Sequence, residues 1–140
     1  MLNYFRPRPG RFGVAPVVVS RRIVTGTLAA GTQVHHLGGL PAKAIVSGVI
    51  VSAETYPTAA TNCTVTLVKR DASAASNVTL SSGININAQP AETVRAGTLL
   101  AALTDAERLL DTGDTLKISL VTTGSVTVQP DDLTVTVELQ

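Results

Sequence analysis

The residues best equipped for chemistry are few and poorly grouped. His35 and His36 are the only histidines and are adjacent. Neighbouring residues of an extended chain point to opposite faces, so this pair cannot readily share one metal ion. No cysteine or carboxylate stands near them in sequence to complete a ligand set. A hydrolytic triad would need a strained nucleophile turn, and no G-x-S-x-G is present. Asp111 with Asp114, and Asp131 with Asp132, have the spacing of turn carboxylates that bond nearby backbone N–H groups. The EF-hand pattern, the P-loop and G-x-G-x-x-G are all absent. Cys63 is the single cysteine, which excludes an intrachain disulfide. It reads as a small buried hydrophobe rather than a reactive thiol. The expectation is a non-enzymatic protein with no catalytic residue, no metal site and no cofactor.

Arginine and aromatic residues are distributed very differently. The first 43 residues carry six basic side chains and no acidic one, whereas the other 97 carry five basic and ten acidic. Tyr4, Phe5 and Phe12 are three of the four aromatic residues, and they interleave with Arg6, Arg8 and Arg11. These residue types dominate binding hot spots between proteins. Arg21 and Arg22 continue the basic run, and Val17, Val18 and Val19 have the composition of an added edge strand, in this chain's own sheet or a neighbour's. Pro7, Pro9 and Pro16 with Gly10 and Gly13 forbid a helix. Residues 1–22 are therefore expected to form an extended attachment arm. Its contact residues would be Tyr4, Phe5, Arg6, Arg8, Arg11, Phe12, Val17, Val18, Val19, Arg21 and Arg22. Nucleic acid is disfavoured as its partner, because the body is net acidic and nearly free of aromatic platforms for stacking bases.

The elements that would carry this arm are strands. The 140 residues suffice for one domain with a core. Valine and threonine, stiff at χ1 and suited to a pleated surface, are abundant. Residues 23–140 are expected to form an antiparallel β-sandwich or jelly roll of about eight short strands with frequent turn signals. A strand is expected over Ile23 to Ala29, and a loop over Gly31 to Lys43. The apolar run Ala44 to Glu54 reads as a central strand with Gly48 at a bulge. Cys63 to Lys69 alternates, with Cys63, Val65, Leu67 and Lys69 on one face. Leu133 to Leu139 alternates through Leu133, Val135, Val137 and Leu139. Thr104-Asp105-Ala106-Glu107 has the pattern of a capping box opening a helix of about two turns. No apolar run approaches a membrane span, and no secretory signal opens the chain, so an intracellularly made, unprocessed chain without a membrane partner is expected.

The stretch from Gly97-Thr98-Leu99 through Leu103-Thr104-Asp105 and Leu110-Asp111-Thr112-Gly113-Asp114-Thr115 to Val121 resembles the short helix, G-D turn and long strand of viral jelly rolls. The ending Leu133-Thr134-Val135-Thr136-Val137-Glu138-Leu139 is similar to their closing strand. Over residues 44–140 the chain looks like small virion proteins of tailed bacteriophages, above all capsid decoration (cement) proteins. That resemblance implies a virion structural protein on the outer capsid surface, bound to the major capsid protein or another virion protein. It also implies a homo-oligomer, a trimer in the first instance. A head-fibre, tail or receptor-binding module of the particle is the alternative, with loops near Tyr56 to Thr61 or Arg70 to Asn77 meeting a host ligand.

Overall fold

The computed structural model describes residues 17–23, 27–38, 40–41 and 43–140. Alternation of apolar and polar residues marks several of its strands. β1 spans Val17–Arg22, β2 Gly31–Leu37, β3 Ala44–Ser52, β4 Thr58–Ala59, β5 Asn62–Asp71 and β6 Ser76–Thr79. β7 spans Ile84–Asn85, β8 Val94–Ala96, β9 Leu109–Leu110, β10 Thr115–Thr123, β11 Val126–Val128 and β12 Thr134–Leu139. In β12 the residues Val135, Val137 and Leu139 are buried while Thr134, Thr136 and Glu138 are not. β5 buries Cys63, Val65, Leu67 and Lys69, and β10 buries Leu116, Ile118, Leu120 and Thr122.

Two five-stranded sheets face each other, one ordered β1-β12-β3-β8 with β9 also on β3, the other β2-β10-β5-β6 with β7 also on β5, and β11 pairs with β4 apart from them. Their chain logic is that of one long hairpin. The first strand pairs with the last (β1 with β12) and the second with the next to last (β2 with β10). The third and sixth, β3 and β8, also pair, as do the central β5 and β6. Wrapping this hairpin brings β12 beside β3 and β10 beside β5, all antiparallel. Eight strands in this order make a jelly roll. The expected all-β antiparallel jelly roll is thus the fold observed.

The core lies between the sheets. Val46, Val49, Val51, Val135, Val137 and Leu139 from one layer meet Cys63, Val65, Leu67, Leu116, Ile118 and Leu120 from the other. Each fully buried Val, Leu or Ile side chain contributes about 1.5–3 kcal/mol through removal from water. Two side-chain amides complete the edges of the ladders. Asn87 accepts from Ala59 N and donates to Ala59 O, and Gln129 does the same for Leu28. Each imitates the backbone of a missing strand neighbour, so buried peptide groups stay paired.

Several expectations need correction. Gly31–Leu37, expected within a loop, is strand β2, held by a seven-residue register against β10. Glycine, glutamine and two histidines are weak strand formers, but a continuous ladder outweighs propensity. The strand expected over Ile23 to Ala29 is not found among its described residues. Instead Ile23 is a buried anchor whose N–H bonds Leu133 O at 2.9 Å. α1 spans only Asp105–Arg108, a single turn, because the chain turns extended at Leu109 to pair with β3. Its capping box is present as expected, with Thr104 and Glu107 bonding each other's backbone N–H. The bulge expected at Gly48 is also present: Glu138 faces Gly48, Leu139 faces Val46, and Ser47 is the extra residue.

Candidate attachment surface

Of the two places expected for Val17, Val18 and Val19, an edge strand of this chain's own sheet or of a neighbour's, β1 takes the first. Val17–Arg22 lies along the whole of β12, from Val17 opposite Leu139 to Arg22 opposite Thr134. These six residues therefore belong to the body's own sheet. Backbone hydrogen bonds and the partial burial of Val19 against the core hold them there. Tyr4, Phe5, Arg6, Arg8, Arg11 and Phe12 lie outside the described residues.

Within β1 the side chains divide by face. Val17, Val19 and Arg21 oppose the buried Leu139, Val137 and Val135, and so point to the inner side of the sheet. Val18, Ser20 and Arg22 share the outer face with Glu138, Thr136 and Thr134. The Ser20 and Thr136 hydroxyls are 2.8 Å apart. Arg22 pairs with Asp132 at 2.6 Å in an exposed contact. Such exposed pairs add little stability. Val17 and Val18 are 45% and 59% exposed, because the strand is the last of its sheet and nothing described covers it.

The edge of the second sheet runs on the same side. β2 is its outermost strand, and Arg21 reaches across the opening between the layers to donate to His36 O. His35 and His36 take opposite faces of β2, as their adjacency requires: His35 opposes the buried Ile118 and His36 opposes Lys117. His35 Nε2 lies 3.2 Å from Gln33 Oε1. Burial, then the Arg21 guanidinium, then His36 hold the His35 pKa below its ordinary value. Burial and the neighbouring Arg21 thus disfavour the charged form of the imidazole. Among the described residues no group of three or more His, Cys, Asp or Glu side chains is placed to hold a metal ion.

The outer face of the first sheet is the part that sequence reasoning missed. One row across β1, β12, β3 and β8 reads Ser20, Thr136, Ile50 and Ala96, and the next Arg22, Thr134, Ser52 and Val94. The central row carries no charge, and Val94 is exposed. The signal was present in β3, whose apolar run does not alternate cleanly. Antiparallel strands with one solvated face normally do.

Other singled-out residues are structural. Tyr56 is buried, and its hydroxyl lies 3.0 Å from Val51 O and 2.7 Å from Thr93 O. It offers no exposed ring for stacking on a ligand. Cys63 is fully buried, 3.5 Å from Thr122 Oγ1, and burial pushes its thiol pKa up. Asp114 accepts from Ala72 N and Asp111 N, at 2.9 Å each, which is turn chemistry. Asp71 accepts from Ala74 N and Ser73 Oγ, and these bonds hold its carboxyl below the usual range. Among the described residues no helix is long and apolar enough to cross a membrane.

Comparison of the chain with family models, with curated proteins and with solved structures found no match.

Proposed function

We propose that this jelly roll is a non-enzymatic structural protein of a tailed-phage particle, a capsid decoration subunit on the outer capsid surface. Its partner in this reading is the major capsid protein or another virion protein, and the body acts as a homo-oligomer. The supporting observation is the position of β1. The arginine- and aromatic-rich residues 1–16 continue covalently from Val17, the first residue of an edge strand anchored along β12. An attachment segment joined at a sheet edge transmits load directly into backbone hydrogen bonds. Arg6, Arg8 and Arg11 would pair with acidic groups of the capsid, since the planar guanidinium fork binds carboxylates bidentately. Tyr4, Phe5 and Phe12 would fill apolar pockets. The jelly roll itself recurs in viral capsid proteins, lectins and cupins, so the fold supports this reading only by analogy.

The test is cosedimentation with purified tailed-phage capsids that lack the protein. The full chain is expected to bind. A chain of residues 17–140, which retains β1 and hence the body's sheet, is expected to fold and to lose binding. Equal capsid occupancy by the shortened chain would sink the proposal.

A further inference from the structure

The free edge of β1 has a defined hydrogen-bonding pattern. Ile23 N bonds Leu133 O, and residue 23 follows the pair Arg22 with Thr134. Antiparallel ladders alternate bonded and non-bonded pairs. The pairs Arg21 with Val135, Val19 with Val137 and Val17 with Leu139 therefore use the bonds toward β12. The backbone N–H and C=O groups of Val18, Ser20 and Arg22 point away from the sheet, with no strand beyond them among the described residues. Natural edges are usually blunted by proline, by charge along their length or by a bulge. β1 has no proline, its register is regular, and its two charges sit together at its C-terminal end.

The outward C=O of His36 on the neighbouring edge strand β2 is already taken by Arg21. β1 is thus the better template for an added strand.

We infer that β1 pairs antiparallel with β1 of a second copy about a two-fold axis at Ser20, joining the two first sheets into one. This register sets Ser20 against the partner copy's Ser20 and Val18 against its Arg22, using every outward backbone group of the strand. Antiparallel order keeps the two Arg21-Arg22 pairs at opposite ends, whereas parallel order would stack them. Charge also complements. Val18 has Glu138 as its neighbour on β12, and Glu138 makes no salt bridge among the described residues. Arg22 of the second copy, whose pair with its own Asp132 is an exposed one, would stand next to Val18 on that same outer face, within side-chain reach of Glu138. Exposed Val18 is covered in the process. The product is an isologous dimer, the commonest closed assembly, in place of the trimer implied by the resemblance.

Light scattering on the size-fractionated full chain tests this, with a dimer as the expected mass. Val18→Pro removes an outward N–H and leaves the bonds to β12 intact, and proline is tolerated on a free edge. By symmetry it deletes two intermolecular bonds, so the dimer Kd is expected to rise about a hundredfold. The β-sheet circular dichroism should remain that of the parent chain. Ser20→Cys is expected to give a covalent dimer on mild oxidation, because directly opposed residues lie within disulfide reach. Ser82→Cys, exposed elsewhere, should not. A monomeric full chain would overturn the inference, as would a Val18→Pro chain that dimerises as tightly as the parent. Loss of capsid binding would leave it untouched, since dimerisation is measured on the protein alone.

Discussion

Gly97 donates its N–H to Val49 O at 2.8 Å, and a Cβ added to it would lie 2.5 Å from Val49 Cγ1. The second obstruction, Ile84 Cδ1 at 2.7 Å, belongs to the facing sheet. Glycine is therefore required here by close approach, where β8 ends and the chain crosses over the core. Gly97→Ala is expected to destabilise the fold by about 1–3 kcal/mol through overpacking. The check is urea unfolding, with a lower midpoint at an unchanged slope.

Lys69 is 2% exposed, and its ammonium donates to Leu109 O at 3.0 Å and Ala106 O at 3.3 Å. A buried cation thus closes the carbonyl end of the single-turn helix, where its charge also complements the backbone dipoles. Lys69→Met keeps the apolar stem but leaves both carbonyls without this donor. A loss of about 1–3 kcal/mol is expected. Amide exchange should accelerate over residues 105–110 before the rest of the sheet, a local effect that separates capping from general packing.

Tyr56→Phe should cost about 1–2 kcal/mol, because the Val51 and Thr93 carbonyls lose a shared hydroxyl. Thr93 leads directly into β8, which has only a three-residue register on β3. Faster amide exchange is therefore expected at Val94 to Ala96. Burial raises the Tyr56 phenol pKa, so its ultraviolet titration in the native protein should begin above the ordinary tyrosine range.

Acid should weaken the fold through His35. Its folded-state pKa lies below the unfolded value of about 6.5 because of burial, Arg21 and His36. Above that value both states hold a neutral ring and nothing is lost. As pH falls below it the unfolded chain takes up the proton first, and stability declines until the folded pKa is passed. His35→Gln should flatten the thermal midpoint between about pH 7 and 5 relative to the parent. Asp71 and Glu107, whose hydrogen-bonded carboxyls titrate lower than usual, should give their own loss only in stronger acid. A parent midpoint that does not move in the upper window would remove His35 from this role.

Local chemistry determined the buried face of the strands whose apolar residues alternate, such as β5 and β12. The alternation of Cys63, Val65, Leu67 and Lys69 put all four on one face, and even the lysine is buried there. The spacing of Thr104 and Glu107 was enough for the capping box, because it needs only a four-residue geometry. Opposite faces for His35 and His36 followed from the pleat alone. The pairing partners were not legible. Ser20 meets Thr136 across 116 residues of chain, and no local pattern specifies which sheet a short valine-rich strand joins. Tertiary packing alone therefore decided that Val17–Arg22 belongs to the body, that the weak strand former Gly31–Leu37 is held by β10, and that Tyr56 is a core residue. Strand pairing is a long-range choice made by the summed burial of both faces. A sequence displays the period of each strand, but the partner emerges only when the whole hairpin wraps around one core.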